Sequence, residues 1–384
     1  MDERVFFAAA PSYSQSAVDA AVEQLLRQLP AAVLLAPGKT VLLKPNLLSG
    51  SAPEKAVTTH PAVVKAVIRA AKRRGVAASD ITVADSPGGP HASGLVKAAW
   101  KASGIAAACA EEGVSLYTGA ASGEAPKAEG AKRRFTFLEP VLAADVIIDL
   151  PKCKTHMMTG LSAATKNLFG CIPGLQKAEW HMRCPKKEDF GDMLIDLLLT
   201  VKPSFAVLDG VVGHEGNGPS GGSPRPLGFL AAAEDMLSMD LALCRMLGLA
   251  PESVPYLAAA QKRGLCPAAF DPALAAGETA LFAPVENFRL PDSWRKMNFS
   301  DSAPRAVRWA VPAVEKWVAP RPKIAPARCI GCGRCAEICP QHTIELKNKK
   351  AHIKPKDCIR CFCCHEVCPV QAIDTKRFFL FKKL

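Results

Sequence analysis

Four short apolar runs rich in β-branched residues recur along the N-terminal part of the chain, and each ends in a polar motif. They are Thr40-Val-Leu-Leu-Lys44-Pro-Asn46, Ile81-Thr-Val-Ala-Asp85-Ser-Pro-Gly-Gly89, Asp145-Val-Ile-Ile-Asp-Leu-Pro151-Lys-Cys-Lys154-Thr-His156 and Phe205-Ala-Val-Leu-Asp209-Gly210. Continuous apolar runs of this length fit strands buried on both faces, as in a parallel sheet. Between them the apolar spacing becomes helical. Over 61–74, Val63, Val64, Val67, Ile68 and Ala71 share one face, Pro61 suits a first turn and Gly75 a stop. Weaker helical patterns cover 92–112, 160–169, 190–200 and 238–248. Alternating strands and helices predict an α/β domain, a mostly parallel sheet with flanking helices.

In open α/β sheets, ligands bind outside the carboxyl ends of the strands. Lys44, Asn46, Asp85, Ser86, Lys152, Lys154, His156 and Asp209 all stand at such ends. Lys166, Asn167 and Glu215 are expected to join them. Gathered lysines need counter-charge, which Asp85, Asp209, Glu215 or a bound anion would provide. The lysines are therefore assigned to an anionic substrate, and His156 and Asp85 to proton transfer. The residue types also suit bland roles, since Asp85-Ser-Pro-Gly-Gly89 is good turn chemistry by itself. Residues 160–170 lack the order of a phosphate loop, and no Gly-rich dinucleotide fingerprint occurs, so neither NAD nor flavin is implied. The glycine-rich stretch 213–223 reads as a loop, with a lid as its candidate role. Cys153, His156, Cys171, His181 and Cys184 are candidates for a further metal site, although their spacing fits no standard pattern.

Cysteine usage changes the picture. Nine of fifteen cysteines fall between Cys329 and Cys368. They form two rows, Cys329-x2-Cys332-x2-Cys335-x3-Cys339-Pro340 and Cys358-x2-Cys361-x2-Cys364-x3-Cys368-Pro369, offset by 29 residues. Three closely spaced thiolates hold three irons of a cubane, and the fourth ligand comes from the other half. One site is therefore assigned Cys329, Cys332, Cys335 and Cys368, and the other Cys358, Cys361, Cys364 and Cys339. Cys363 is left as a ninth, non-ligand cysteine. Zinc does not use this doubled spacing, and the C-x-x-C-H at Cys361–His365 lies inside the second row. Residues 321–375 closely resemble the bacterial two-[4Fe–4S] ferredoxin module, a small α+β unit, which implies two clusters.

A second resemblance lies upstream. Leu43-Lys-Pro-Asn46, Leu150-Pro-Lys-Cys-Lys-Thr-His156, Thr165-Lys-Asn-Leu-Phe-Gly170 and Asp209-Gly-Val-Val-Gly-His-Glu-Gly-Asn-Gly-Pro-Ser220 are similar to the domain of unknown function 362 family, over about residues 38–250. Members are often fused to a ferredoxin module. The resemblance implies an α/β fold and an iron–sulfur protein, and supplies no settled reaction. Cys153 departs from the family, which more often has an apolar residue there.

The predicted division is an α/β domain over 1–283, a Pro-rich linker over 284–320 and a cluster domain with a basic tail over 321–384, with seven prolines between 284 and 327. Val307, Trp309, Ala310, Val314, Trp317 and Val318 suggest a short docking helix in the linker. The net charge is +12, with 14 Lys+Arg against 5 Asp+Glu in 321–384. Two thiolate-ligated clusters would offset part of that excess, so nucleic acid is an unlikely partner. No apolar run reaches the ~20 residues of a membrane span, and the acidic N-terminus is a poor signal peptide. The expectation is a cytoplasmic redox protein that exchanges electrons with an external low-potential donor or acceptor and with an anionic substrate. The alternatives are a non-catalytic carrier whose large domain docks a partner enzyme, and an iron–sulfur sensor or nucleic-acid binder.

Overall fold

In the computed structural model, which describes residues 2–294 and 320–376, the alternation of apolar runs and helical patterns builds a three-layer domain. The chain opens with β1 (Val5–Ala9) and α1 (Gln15–Gln28). β2 (Val41–Pro45), α2 (Pro61–Arg73) and β3 (Ile81–Val83) follow. The 92–112 pattern is two helices, α3 (Ser93–Ala102) and α4 (Ile105–Glu112), because Gly104 between them takes φ 74°. Then come β4 (Ser115–Leu116), a side hairpin of β5 (Ser122–Glu124) and β6 (Thr136–Leu138), and α5 (Glu139–Ala143). The third apolar run is β7 (Val146–Leu150), and its polar motif is a strand of its own, β8 (Lys152–His156).

The predicted 160–169 helix gives way to β9 (Gly160–Ser162), paired antiparallel with β8, and a single turn, α6 (Ala164–Asn167). α7 (Gln176–Arg183), α8 (Lys187–Val201), β10 (Phe205–Glu215), β11 (Ser223–Ala233), α9 (Met236–Leu247), α10 (Pro255–Lys262) and β12 (Ala275–Gly277) complete the domain.

The sheet order is β12-β1-β11-β10-β7-β2-β3-β4, with β8 on β10 and β9 on β8. Pairing is parallel from β10 through β7, β2 and β3 to β4, whereas β11 runs antiparallel to β1 and β10. Side chains alternate between the two faces. Leu42, Ile147, Ala206 and Leu208 enter the core under α6–α10, while Val41, Leu43, Ile148, Phe205 and Val207 enter the core under α1–α4.

The C-terminal module repeats its structure with the same 29-residue offset as its cysteines. β13 (Arg321–Ile324), α11 (Arg334–Glu337) and β14 (Ile344–Lys347) form the first half. β15 (Lys350–Ile353), α12 (Cys363–Glu366) and β16 (Ile373–Lys376) form the second. Exchange ties the halves, since β13 pairs β16 and β14 pairs β15.

This module sits over the carboxyl ends of the strands. Ile338, Cys363 and Val367 pack on Ala178 of α7. Ser220 Oγ contacts the carbonyls of His365 and Glu366 at 3.3 Å each. The segment 213–223 is thus not a lid: its ends belong to β10 and β11, and Ser220 between them holds the module. Residues 284–293 also belong to the large domain rather than to a linker. Val285 N donates to Met246 O at 2.7 Å, Phe288 and Leu290 pack on the core, and Ser293 Oγ donates to Met157 O at 2.6 Å. The proposed docking helix and the basic tail beyond 376 lie outside the described residues.

Candidate functional site

The cysteines separate into two groups. Cys329, Cys332, Cys335 and Cys368 surround one small cavity, with Ile324, Ala351 and Ile373. Cys339, Cys358, Cys361 and Cys364 surround another, with Pro322, Ile344 and Ile353. Each group takes three thiols from one row and the fourth from the other. Backbone N–H groups already point at the sulfurs: Ala372 N to Cys368 Sγ at 3.1 Å, Thr343 N to Cys339 Sγ at 3.4 Å and Ala351 N to Cys329 Sγ at 3.5 Å. Such donors stabilise thiolates, so donor set and surroundings both fit [4Fe–4S] cubanes. None of the fifteen cysteines is in a disulfide.

A third cavity lies where the module meets the large domain. Asn46, Asp85, Ser86, Lys154, His156, Ser162, Lys166, Asn167, Lys177 and His181 form its floor and sides. Ile338, Cys363, Glu366 and Val367 of the module close it. It offers about 70 Å³ to the centres of water-sized molecules. At ~10–15 Å³ per water that is room for roughly five to seven waters, the size of a small organic anion.

Local structure explains these positions. Asp240 of α9 accepts from Ala164 N at 2.9 Å and Thr165 N at 3.0 Å, which caps the α6 turn and presents Lys166 and Asn167. Asn167 Nδ2 donates to Asp149 Oδ1 at 2.7 Å, and its Oδ1 accepts from Asn46 Nδ2 at 2.7 Å. Asn46 Oδ1 in turn accepts from Lys154 Nζ at 2.6 Å. Ser86 Oγ lies 3.0 Å from His91 Nδ1 and accepts from Gly174 N at 2.9 Å, so this hydroxyl is committed to the wall.

Four side chains assigned to the cleft lie elsewhere. Lys44 is behind the wall, 3.3 Å from Asp85 Oδ1. Lys152 and Asp209 form a separate buried cluster. Lys152 Nζ donates to Asp209 Oδ2 at 2.8 Å and Tyr13 OH at 2.6 Å, Tyr13 OH donates to Asp209 Oδ1 at 2.8 Å, and His60 N donates to Asp209 Oδ2 at 2.9 Å. Strand parity is the reason: Asp209 follows Phe205 and Val207 to the α1–α4 face, and Lys152 is its register partner. Glu215 instead holds Arg289, whose Nε donates at 2.8 Å. Cys153, Cys171 and Cys184 are buried, and among the described residues no three His, Cys, Asp or Glu side chains converge on one metal ion.

Residues 41–245 match the model of the domain of unknown function DUF362, more than half of the chain. The chain belongs to the DUF362 family. Residues 328–372 match a 4Fe-4S dicluster domain, so this DUF362 member is an iron–sulfur protein. A thylakoid-associated protein of Synechocystis sp. is 32% identical over 299 residues, covering 77% of this chain and 90% of that protein. The lactate racemase apoprotein of Thermoanaerobacterium thermosaccharolyticum superposes with a TM-score of 0.34 and 13% identity, over 54% of this chain and about half, 51%, of its own. Among the described residues no helix is long and apolar enough to cross a membrane.

Electrostatics in the cavity are set by burial. Burial foremost, then the charge of Lys166, lowers Lys154 to about 7. Burial likewise lowers Lys177 to about 7, with its Nζ donating to Ser86 O at 2.7 Å and Ile172 O at 3.1 Å. His156 is lowered to about 4 by burial and by Lys166, so it is neutral at pH 7. Its Nδ1 accepts from Met158 N at 3.0 Å and Thr159 N at 3.3 Å, which puts the ring hydrogen on Nε2. Nε2 lies 2.9 Å from Glu366 Oε1 but off the hydrogen-bond axis, so neither atom completes an aligned bond. For Glu366, burial acts upward, and His156 and Lys166 overcome it to hold the carboxyl low.

Sequence reasoning missed Lys177, Glu366 and the position of Cys363, and read His181 as a candidate metal ligand rather than as part of the cavity wall. The repeat offered a signal. Cys363 and Glu366 stand where the first half has Arg334 and Glu337, and those two are exposed. A thiol in place of an exposed arginine marks the half that docks.

Proposed function

We propose that this iron–sulfur protein exchanges electrons with a small anionic molecule held in the cavity beneath its ferredoxin-type module. One observation carries the reading: Cys363 belongs both to the cavity wall and to the wall around Cys339, Cys358, Cys361 and Cys364. The anion site and one cluster site are thus a single residue apart. Two [4Fe–4S] clusters, one per cysteine set, would supply one-electron steps. Cys332 is exposed at the other set, which suits electron entry from an external low-potential donor. Lys154, Lys166 and Lys177 favour an anion, and a neutral His156 has its Nε2 hydrogen available for proton transfer. A reducing cytoplasm suits the free thiols and the clusters.

The test is anaerobic photoreduction of the protein, followed by addition of oxalate, pyruvate, glyoxylate or phosphate. The reading expects a raised Tm with at least one anion and faster reoxidation of the clusters by at least one reducible anion. An unchanged Tm and unchanged reoxidation with every one would return the protein to the role of a carrier that docks a partner enzyme.

A further inference from the structure

The lysines at the cavity differ in what their nitrogens touch. Lys154 donates to Asn46 Oδ1 and to Val57 O, at 2.6 and 2.9 Å. Lys177 has two carbonyl acceptors, and Lys44 has Pro45 O at 3.0 Å together with Asp85. Lys166 is only 8% exposed, yet among the described residues its nitrogen has no hydrogen-bond acceptor and no carboxylate within 4 Å. It lies instead 5.5 Å from the ring centre of Phe169 and 6.0 Å from that of Phe190. An ammonium in this position has given up most of its hydration, and two aromatic faces stand where hydrogen-bond acceptors would be. Burial, first among the causes, lowers the lysine from its ordinary range, aided by the charge of Lys44 and opposed by Glu366 and Cys363. Burial beside other cations favours the neutral amine of a lysine, the form that attacks carbonyl carbon.

We propose that Lys166 traps a small 2-oxo carboxylate as a reversible imine, with the carboxylate facing Lys154. This rests on the reading of the cavity as an anion site and names the class of anion. The room for about five to seven waters admits glyoxylate or pyruvate and excludes much larger acids. Lys166 Nζ attacks the carbonyl carbon and forms the C–N bond. The two amine hydrogens pass to the carbonyl oxygen, which leaves as water. No electrons are gained or lost, and water reverses the step. The Nε2 hydrogen of His156, in the same wall, can hydrogen-bond the departing oxygen and stays on the ring.

The experiment uses the full chain, purified anaerobically with its clusters. Glyoxylate or pyruvate is added, then sodium cyanoborohydride, and the product is mapped by peptide mass spectrometry. Oxalate, which forms no imine, serves as competitor and as the probe in a parallel thermal shift. The expected result is a mass gain of the acid less one oxygen atom on Lys166, reduced by excess oxalate and absent in Lys166→Arg. Adducts spread over exposed lysines, with none on Lys166, would overturn the proposal whatever the folding of the variant. If oxalate raises Tm while Lys166 stays unmodified, the imine is wrong and the anion site stands. If oxalate does not bind and nothing is trapped, both fail.

Discussion

Replacing Asp209 with Asn keeps the size of the side chain and removes its charge. Asp209 is fully buried and receives Tyr13 OH on one oxygen, and Lys152 Nζ with His60 N on the other. An amide must turn its NH2 toward one of those donor sets, and the Lys152 ammonium, 1% exposed, loses its anion. Breaking a buried pair from one side costs about 3–5 kcal/mol. Loss of the Lys152 proton sets a ceiling, because deprotonating a lysine at pH 7 costs roughly 5 kcal/mol relative to the unfolded chain. We expect a loss of about 3 kcal/mol, or roughly 5 °C in Tm for a domain of this size. Differential scanning calorimetry under argon reads it. The double replacement Asp209→Leu with Lys152→Met should recover most of the loss, since an apolar pair leaves no charge behind. Oxalate affinity should be unchanged in both variants, because the cluster lies on the other face of the sheet. A loss below about 1 kcal/mol, or a large change in oxalate affinity, would refute the separation of the two polar clusters.

Replacing Cys339 with Ser should remove the cluster bound by Cys358, Cys361 and Cys364, halving a content of about eight irons; iron analysis and EPR would expose the error if the Cys329 site were lost instead. Lys154 and Lys177, both lowered to about 7, are half charged near neutrality, and a bound anion favours their charged forms. Oxalate should therefore bind with proton uptake and weaken as pH rises through 7, by up to about tenfold per pH unit for each lysine involved; calorimetry in buffers of different ionisation enthalpy would count against this if no protons were taken up. A Cβ on Gly170 would fall 1.8 Å from Asp85 Oδ1 and 2.8 Å from Lys44 Nζ. Gly170→Ala should thus displace the buried Asp85–Lys44 pair and cost about 2–4 kcal/mol, and a wild-type Tm would contradict the close approach.

The α/β layers were legible because β2, β3, β7 and the start of β10 are continuous apolar runs. β11 was not, because it begins Ser223-Pro-Arg-Pro and ends Leu230-Ala-Ala-Ala233, which lacks the β-branched residues that mark strands. The same period of two that defines a strand also separates Asp209 from the cavity, since it shares a face with Val207. Proximity to a strand end had suggested convergence, and parity decided against it. Glu366 was beyond reach for a different reason. It matches Glu337 in the repeat, and only the docked arrangement makes one part of a cavity wall and leaves the other in solvent. The cluster cysteines were legible in full as a pattern, because three thiols on one loop and an exchanged fourth are a constraint of spacing rather than of packing.

The central claim is that the anion cavity and one cluster share a wall at Cys363. EPR of the anaerobically reduced protein, recorded with and without oxalate, tests it most directly. The account predicts that oxalate shifts the signal altered by Cys361→Ser and leaves the signal altered by Cys332→Ser in place. Oxalate that binds, as judged by Tm, yet shifts neither signal or only the Cys332-dependent one would contradict it.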